Sequence, residues 1–234
     1  EVDPDERIEI PFINLIEIYQ TYDLKTNIFA RLNLKYNPEH GYLAFGNLNV
    51  DNLNLKLSDI RLPDSFLHAN FQGKQIEYFS DINVLDNEKV NVQGMFKFDK
   101  HPRMKTSIKT DEIHFANLLK LSIALLDSLN IKNNLEQVRA EGYLSANAEI
   151  KTNFKKLKSS GSILVKEGSF INHSQNIGIN DIAINAILDN NTLNIQDSKA
   201  TINGSKLNLE GYIDNNSNAD IKIDVDNLSL PALY

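Results

Sequence analysis

Residues Lys206–Asp226 read KLNLEGYIDNNSNADIKIDVD, and their alternation decides the fold class. Leu207 and Leu209 alternate with Lys206, Asn208 and Glu210; after a turn rich in asparagine, Ile221, Ile223 and Val225 alternate with Asp220, Lys222, Asp224 and Asp226. Successive side chains of a strand point to opposite faces, so each of these segments has one apolar and one wet face. One-sided patterning belongs to antiparallel sheets, because a parallel sheet covered on both sides reads as continuous apolar runs.

The same period extends outward. Ile182, Ile184, Ala186 and Leu188 alternate with polar or small residues, as do Leu193 and Ile195, Val90 and Val92, Phe96 and Phe98. Asp86-Asn87-Glu88, Asp189-Asn190-Asn191, Asn203-Gly204-Ser205 and Asp214-Asn215-Asn216 punctuate the strands. Asn, Asp and Gly tolerate the left-handed backbone of tight hairpins, which accounts for much of the asparagine excess. The expectation is a mainly β chain: an extended, curled antiparallel sheet, a U-shaped groove built from repeated meander units.

The chain also repeats itself. Gly46–Leu118 lies over Gly161–Leu233, with Gly46 on Gly161, Val50 on Val165, Ala69 on Ala186, Phe71 on Leu188, Gly94 on Gly211, Ile108 on Ile223 and Asp111 on Asp226. Ile113, Phe115 and Leu118 fall on Leu228, Leu230 and Leu233. The expected organisation is a 1–45 N-terminal β segment, a first meander repeat over 46–118, an apolar helix over 115–135, and a second repeat over 136–234 continuous with the same sheet. The helix rests on Leu118, Leu119, Leu121, Ile123, Leu125, Leu126 and Leu129, with no glycine or proline among them. Thr110 or Asp111 would cap it and Asn133-Asn134 would end it. A helix apolar over most of its circumference belongs against the sheet; the alternative is that it plugs a lipid path or touches a membrane.

Composition narrows function. The chain has 234 residues, a net charge of -7 and no cysteine, which removes disulfide and thiolate-metal chemistry. An acidic balance argues against a nucleic-acid surface. The one dense basic run, Lys151–Lys158, reads as a solvated strand edge or turn. No apolar run is long enough for a membrane-spanning helix. The sequence opens at Glu1 without initiator methionine or signal peptide, so a piece of a longer protein is expected, with any anchor outside it.

No catalytic constellation is legible, and no enzyme, cofactor or metal is expected. His40, His68, His101, His114 and His173 lie far apart, with no ligand spacing among them. Asp220, Asp224 and Asp226, with Asp214 nearby, lack the glycine and distal glutamate of a calcium loop and share the wet face of one strand. Triplets such as Asn172-His173-Ser174 are expected by chance in a chain so rich in asparagine.

What remains is the apolar face. A sheet must bury such a face against a second sheet, helices or a ligand. A helix of about 20 residues is roughly 30 Å long, whereas twelve to sixteen strands about 4.8 Å apart span roughly 60–75 Å when open. One helix is too small to cover that. The trough face is expected to carry Val90, Val92, Phe96, Ile108, Ile184, Leu188, Leu193, Ile195, Leu207, Leu209, Ile221, Ile223 and Val225. A single β-bulge would invert part of that assignment.

Three stretches carry a resemblance. Glu141–Phe170 reads EGYLSANAEIKTNFKKLKSSGSILVKEGSF; Leu193–Leu233 runs from LNIQDSKATINGSKLNLEGYID into ADIKIDVDNLSLPAL; Thr110–Leu126 reads TDEIHFANLLKLSIALL. Their order and recurrence resemble the AsmA/TamB-like superfamily of diderm bacteria over most of residues 46–234. The resemblance implies a periplasmic β-groove in a protein anchored in the inner membrane. It implies binding of phospholipid acyl chains, movement of lipids between inner and outer membranes, and a link to outer-membrane protein assembly. Two other readings stay open: a structural or assembly module with a sealed groove, and an unrelated repetitive β surface protein.

Overall fold

The computed structural model describes residues 23–39, 41–215 and 218–226. Twelve strands form one antiparallel sheet in which every strand pairs with its neighbours in chain order. They are β1 (Lys25–Asn37), β2 (Gly41–Asn54), β5 (Ser65–Gly73), β6 (Gln75–Asn83), β7 (Lys89–Lys97), β8 (Arg103–His114), β9 (Val138–Thr152), β10 (Leu157–Asn172), β11 (Ile177–Asp189), β12 (Thr192–Ile202), β13 (Ser205–Ile213) and β14 (Ala219–Val225). Between β2 and β5 a two-stranded ribbon, β3 (Lys56–Leu57) and β4 (Ile60–Arg61), leaves the main sheet. The sheet is not closed into a barrel, and among the described residues β1 and β14 are its edges.

The asparagine-rich turns have the expected chemistry. Asp86 and Asn87, Asn190 and Asn191, and Asn203 and Gly204 each place two consecutive residues at positive φ. That geometry matches the right-handed twist of the strands it joins. Asn216 and the three leucines 228, 230 and 233 of the repeat lie outside the described residues.

Ladder positions in the two halves correspond. Gly94 stands opposite Tyr78 and Thr106; Gly211 stands opposite Ile195 and Ile221. Gly46 faces Phe71 as Gly161 faces Leu188. Both halves bulge at the same place, β2 at Asn52 and β10 at Glu167, each with φ 52°. Six strands, β1, β2 and β5–β8, thus match six others, β9–β14. Gly46 lies inside β2, so the 45/46 boundary cuts a strand rather than a linker.

Glycines mark where strands crowd on the curled face. A Cβ on Gly161 would lie 2.1 Å from the Asn147 carbonyl oxygen, and one on Gly94 would lie 2.4 Å from the Lys105 carbonyl oxygen and from the Tyr78 hydroxyl oxygen. The Tyr78 ring occupies the space over Gly94 and its hydroxyl hydrogen-bonds that of Thr106, two strands away. An aromatic ring laid over a bare glycine restores the packing that the missing side chain gives up.

The helix, α1 (Phe115–Ser128), is shorter than the leucine pattern indicates. It stops because Asn130 adopts φ 55°, while the Asn130 amide donates to the Asp127 carbonyl and the Ile131 amide to the Leu126 carbonyl. This pairing is the six-to-one, five-to-two closure of a helix end. The Asn133-Asn134 stop lies beyond it, before a 3-10 turn at Leu135–Gln137. Neither Thr110 nor Asp111 is the cap: β8 continues to His114, the residue before the first helical turn. Nor is α1 buried all round. Asn117 and Ala124 are buried, but Leu125 and Leu129 are largely open to solvent. One face of the helix rests against β9 and the β3 ribbon, and the other faces out.

Candidate functional site

One row of paired residues crosses the whole sheet. From edge to edge it reads Ile28, Val50, Leu67, Ser80, Val92, Ile108, Ala148, Gly161, Leu188, Leu193, Ile213 and Ala219. Residues opposite one another in a ladder share a face, so this row defines one apolar surface common to all twelve strands.

Each residue assigned to the trough by alternation lies on that surface. Val92, Ile108, Leu188 and Leu193 are members of the row. Val90 lies two residues before Val92 and Phe96 four residues after it on β7, all on one face, and Phe96 pairs with Met104. Ile184 pairs with Val165, and Ile195 with Ala186 and Gly211. Leu207 pairs with Val225, Leu209 with Ile223, and Ile221 with Gly211. The bulges at Asn52, Glu167, Asp181 and Asp197 do not invert the face, because each absorbs one extra residue in a left-handed conformation before alternation resumes.

The surface has a covered end and an open end. Where β8 runs into α1, Ile113, Ala140, Val165 and Ile182 are buried, and the Phe115 ring meets Phe170 at 5.3 Å. At the opposite strand ends, Phe154 is 59% and Leu157 56% exposed, and Phe154 touches Phe96 edge-on at 5.9 Å across the intervening β8. Lys155 and Lys156 lie in this tip. Asn153 Oδ1 accepts the amides of Lys155 and Lys156 and holds the turn in shape. A recess of about 340 Å³ near this end opens mainly on the outer face, where Met95, Lys105, Lys151 and Lys158 lie in one paired row. At the β14 edge Ile221, Ile223 and Val225 are 40%, 55% and 39% exposed.

Sequence reasoning missed a polar cluster at the covered end. Glu88 is buried. One of its carboxylate oxygens accepts the His114 backbone amide at 3.0 Å and the Asn117 side-chain amide at 2.9 Å, and contacts His114 Nδ1. Asn117 also donates to Asp86 at 3.2 Å, and the His114 ring packs on Tyr143 at 4.5 Å. Glu88 thus puts a carboxylate at the N-terminus of α1, where the helix dipole favours negative charge. It supplies from the β6–β7 turn the cap that α1 lacks locally. The partners are 26 and 29 residues apart, too far for any local motif to reveal them. Glu88 and Thr110 each retain a buried oxygen without a hydrogen-bond partner.

The outer face is wet and ion-paired. Glu149 bridges Lys105, at 2.6 Å, and Lys151, and these hydrogen bonds, Lys105 first, hold its carboxyl below the ordinary glutamate range. Lys222 pairs with Asp224 at 2.8 Å, which raises the lysine. Asp224 and Asp226 are exposed. Among the described residues no group of acidic and histidine side chains is arranged to hold a metal ion, and no helix is long and apolar enough to cross a membrane. His68 instead pairs with Asp51 at 3.0 Å, and Asn172 Oδ1 accepts from the amide and hydroxyl of Ser174.

No protein-family model matches the chain, and no curated protein or solved structure matches it significantly.

Proposed function

We propose that this chain is a segment of a lipid-carrying trough, of the kind its sequence resembles in the AsmA/TamB-like superfamily. In this reading it lies in the periplasm of a diderm bacterium, as part of a protein anchored in the inner membrane, and helps phospholipids pass between the inner and outer membranes. The observation that carries the reading is the apolar row across all twelve strands, too wide for α1 to cover. A helix of 14 residues is about 21 Å long, against a width of roughly 55 Å for twelve strands at about 4.8 Å spacing. Acyl chains on this surface keep their hydrocarbon from water without any specific catalytic group. Head groups stay at the rim, where Lys155 and Lys156 of the turn offer positive charge to phosphate near Phe154 and Leu157.

The second reading, a sealed module serving outer-membrane protein assembly, draws on the burial of Ile113, Ala140, Val165 and Ile182 beneath the helix end. One experiment separates the two: mass spectrometry of lipids extracted from the detergent-free chain, paired with melting curves, for Leu209→Asp and Ile223→Asp and the outer-face controls Asn208→Asp and Lys222→Asp. An open trough hydrates the new carboxylate, so the inner-face variants stay folded and lose lipid. A sealed core leaves the charge unpaired and buried, and those variants unfold. Absence of lipid from the parent chain, or lipid retained by the inner-face variants at control levels, sinks the transport reading.

A further inference from the structure

The two sheet edges are matched to one another. In sequence, Glu9–Ile16 (EIPFINLI) parallels Glu112–Leu119 (EIHFANLL), so β1 follows its copy of this motif as β9 follows the other. The ladders agree: Leu32 of β1 faces Gly46 as Ala148 of β9 faces Gly161. Likewise Ile223 of β14 faces Leu209 as Ile108 of β8 faces Val92. Inside the sheet β8 and β9 pair with each other. Their counterparts, β14 and β1, are the two edges of the sheet formed by the described residues, and both are exposed along nearly their whole length.

The β8–β9 register can be carried onto the edges residue by residue. Ile108 opposite Ala148 becomes Ile223 opposite Leu32, and Thr106 opposite Ile150 becomes Ile221 opposite Leu34. These aliphatic side chains are open at the edges, Leu32 at 50% and Leu34 at 71%. On the outer face, Lys105 opposite Lys151 becomes Asp220 opposite Lys35, and Lys109 opposite Asn147 becomes Asp224 opposite Arg31. One register therefore joins apolar to apolar on the trough side and acid to base on the wet side. A slip of one residue would lose both, because it exchanges the faces.

From this we infer that β14 of one copy of the chain pairs antiparallel with β1 of a second copy in the β8–β9 register, continuing sheet and trough from copy to copy. The contact joins two different edges, so it is heterologous and leaves a free edge at each end of the assembly. Asp224 exchanges its pairing with Lys222 for one shared with Arg31 of the next copy. The inference concerns the sheet edges and holds whether or not the trough carries lipid.

Sedimentation across a concentration series tests it. The parent chain is expected to rise from 26.5 kDa towards multiples of that mass. Arg31→Glu with Lys35→Glu sets acid against acid, and Asp220→Lys with Asp224→Lys sets base against base; each double variant alone should associate at least tenfold more weakly, roughly, than the parent. Mixed in equal amounts, the two restore the complementary edge and should recover assembly. A parent that stays at monomer mass, double variants that assemble as well as the parent, or a mixture that fails to recover overturns the proposal. Lipid counted in the same preparations separates the two ideas, since edge variants that stay monomeric while keeping lipid leave the trough reading untouched.

Discussion

At the end of the strands where β8 enters α1, the apolar face behaves as the core of a folded domain: Ile113, Ala140, Val165 and Ile182 are buried, and Glu88 ties the helix to the β6–β7 turn. At the other end, and along the β14 edge, the same face stands open, with Phe154, Leu157 and Ile223 more than half exposed. Both regions arise from identical two-residue alternation. Periodicity therefore determines which face a residue occupies, whereas the elements that happen to lie above that face determine what removing the residue costs.

The largest contrast is expected from matched truncations. Ile113→Ala should destabilise the chain by about 2–5 kcal/mol, because β9 and α1 cannot collapse into the space left behind. Ile223→Ala, on the open edge, should change stability by less than about 1 kcal/mol. Denaturant melts of the two variants measure the difference directly. Equal losses would show that the open end is as tightly packed as the covered one.

Glu88→Ala comes next. It strips the His114 amide and the Asn117 side chain of their acceptor inside a buried site, at about 2–3 kcal/mol for a charged partner. Hydrogen exchange should rise first in α1 and leave β12–β14 protected. Exchange that rises uniformly would mean the cluster holds the whole sheet rather than the covered end alone.

Glycines sharpen the comparison further. Gly161→Ala forces a Cβ to 2.1 Å from the Asn147 carbonyl oxygen in mid-sheet and should cost about 1–3 kcal/mol. Gly178→Ala meets only the Asn180 side chain at 3.7 Å and should be neutral, or stabilising by up to about 1 kcal/mol through the unfolded chain.

These contrasts mark what the amino-acid sequence conveys. Strand alternation, the Asn-rich turns and the Gly94/Gly211 spacing sufficed for the antiparallel class, the meander order and the shared face of residues such as Val92, Ile108, Leu188 and Leu193, because each is local chemistry. Helix length was not legible, since Asn130 closes α1 by a left-handed turn that leucine periodicity runs straight through. The Glu88–His114–Asn117 cluster was hidden by sequence separation. The bulges at Asp181 and Asp197 were hidden because each is a lone aspartate inside a strand, where it reads as an ordinary polar member of the alternation rather than as a turn. Which end of the trough is covered depends on where α1 folds back, and alternation carries no information about that.

The smallest effect expected is one of pH, and it lies on the outer face, away from both ends. Glu149 is held below its ordinary value of 4.5 by Lys105 first and Lys151 second. A carboxyl whose folded value lies below its unfolded one adds stability that is fully present above the unfolded value and is lost as pH falls through the folded one. The contribution should therefore be constant from neutral pH down to about 4.5 and decline only below it. The site is open to water, where screening keeps exposed pairs weak. Glu149→Gln should therefore leave the melting curve at neutral pH almost unchanged and only flatten its decline under acid. Lys105→Met removes the principal partner and should flatten the same decline, whereas Lys151→Met should do so less. If Lys151→Met has the greater effect, the order of the two partners is reversed. If Glu149→Gln lowers stability most steeply above pH 6, the bridge is not what keeps that carboxylate ionised.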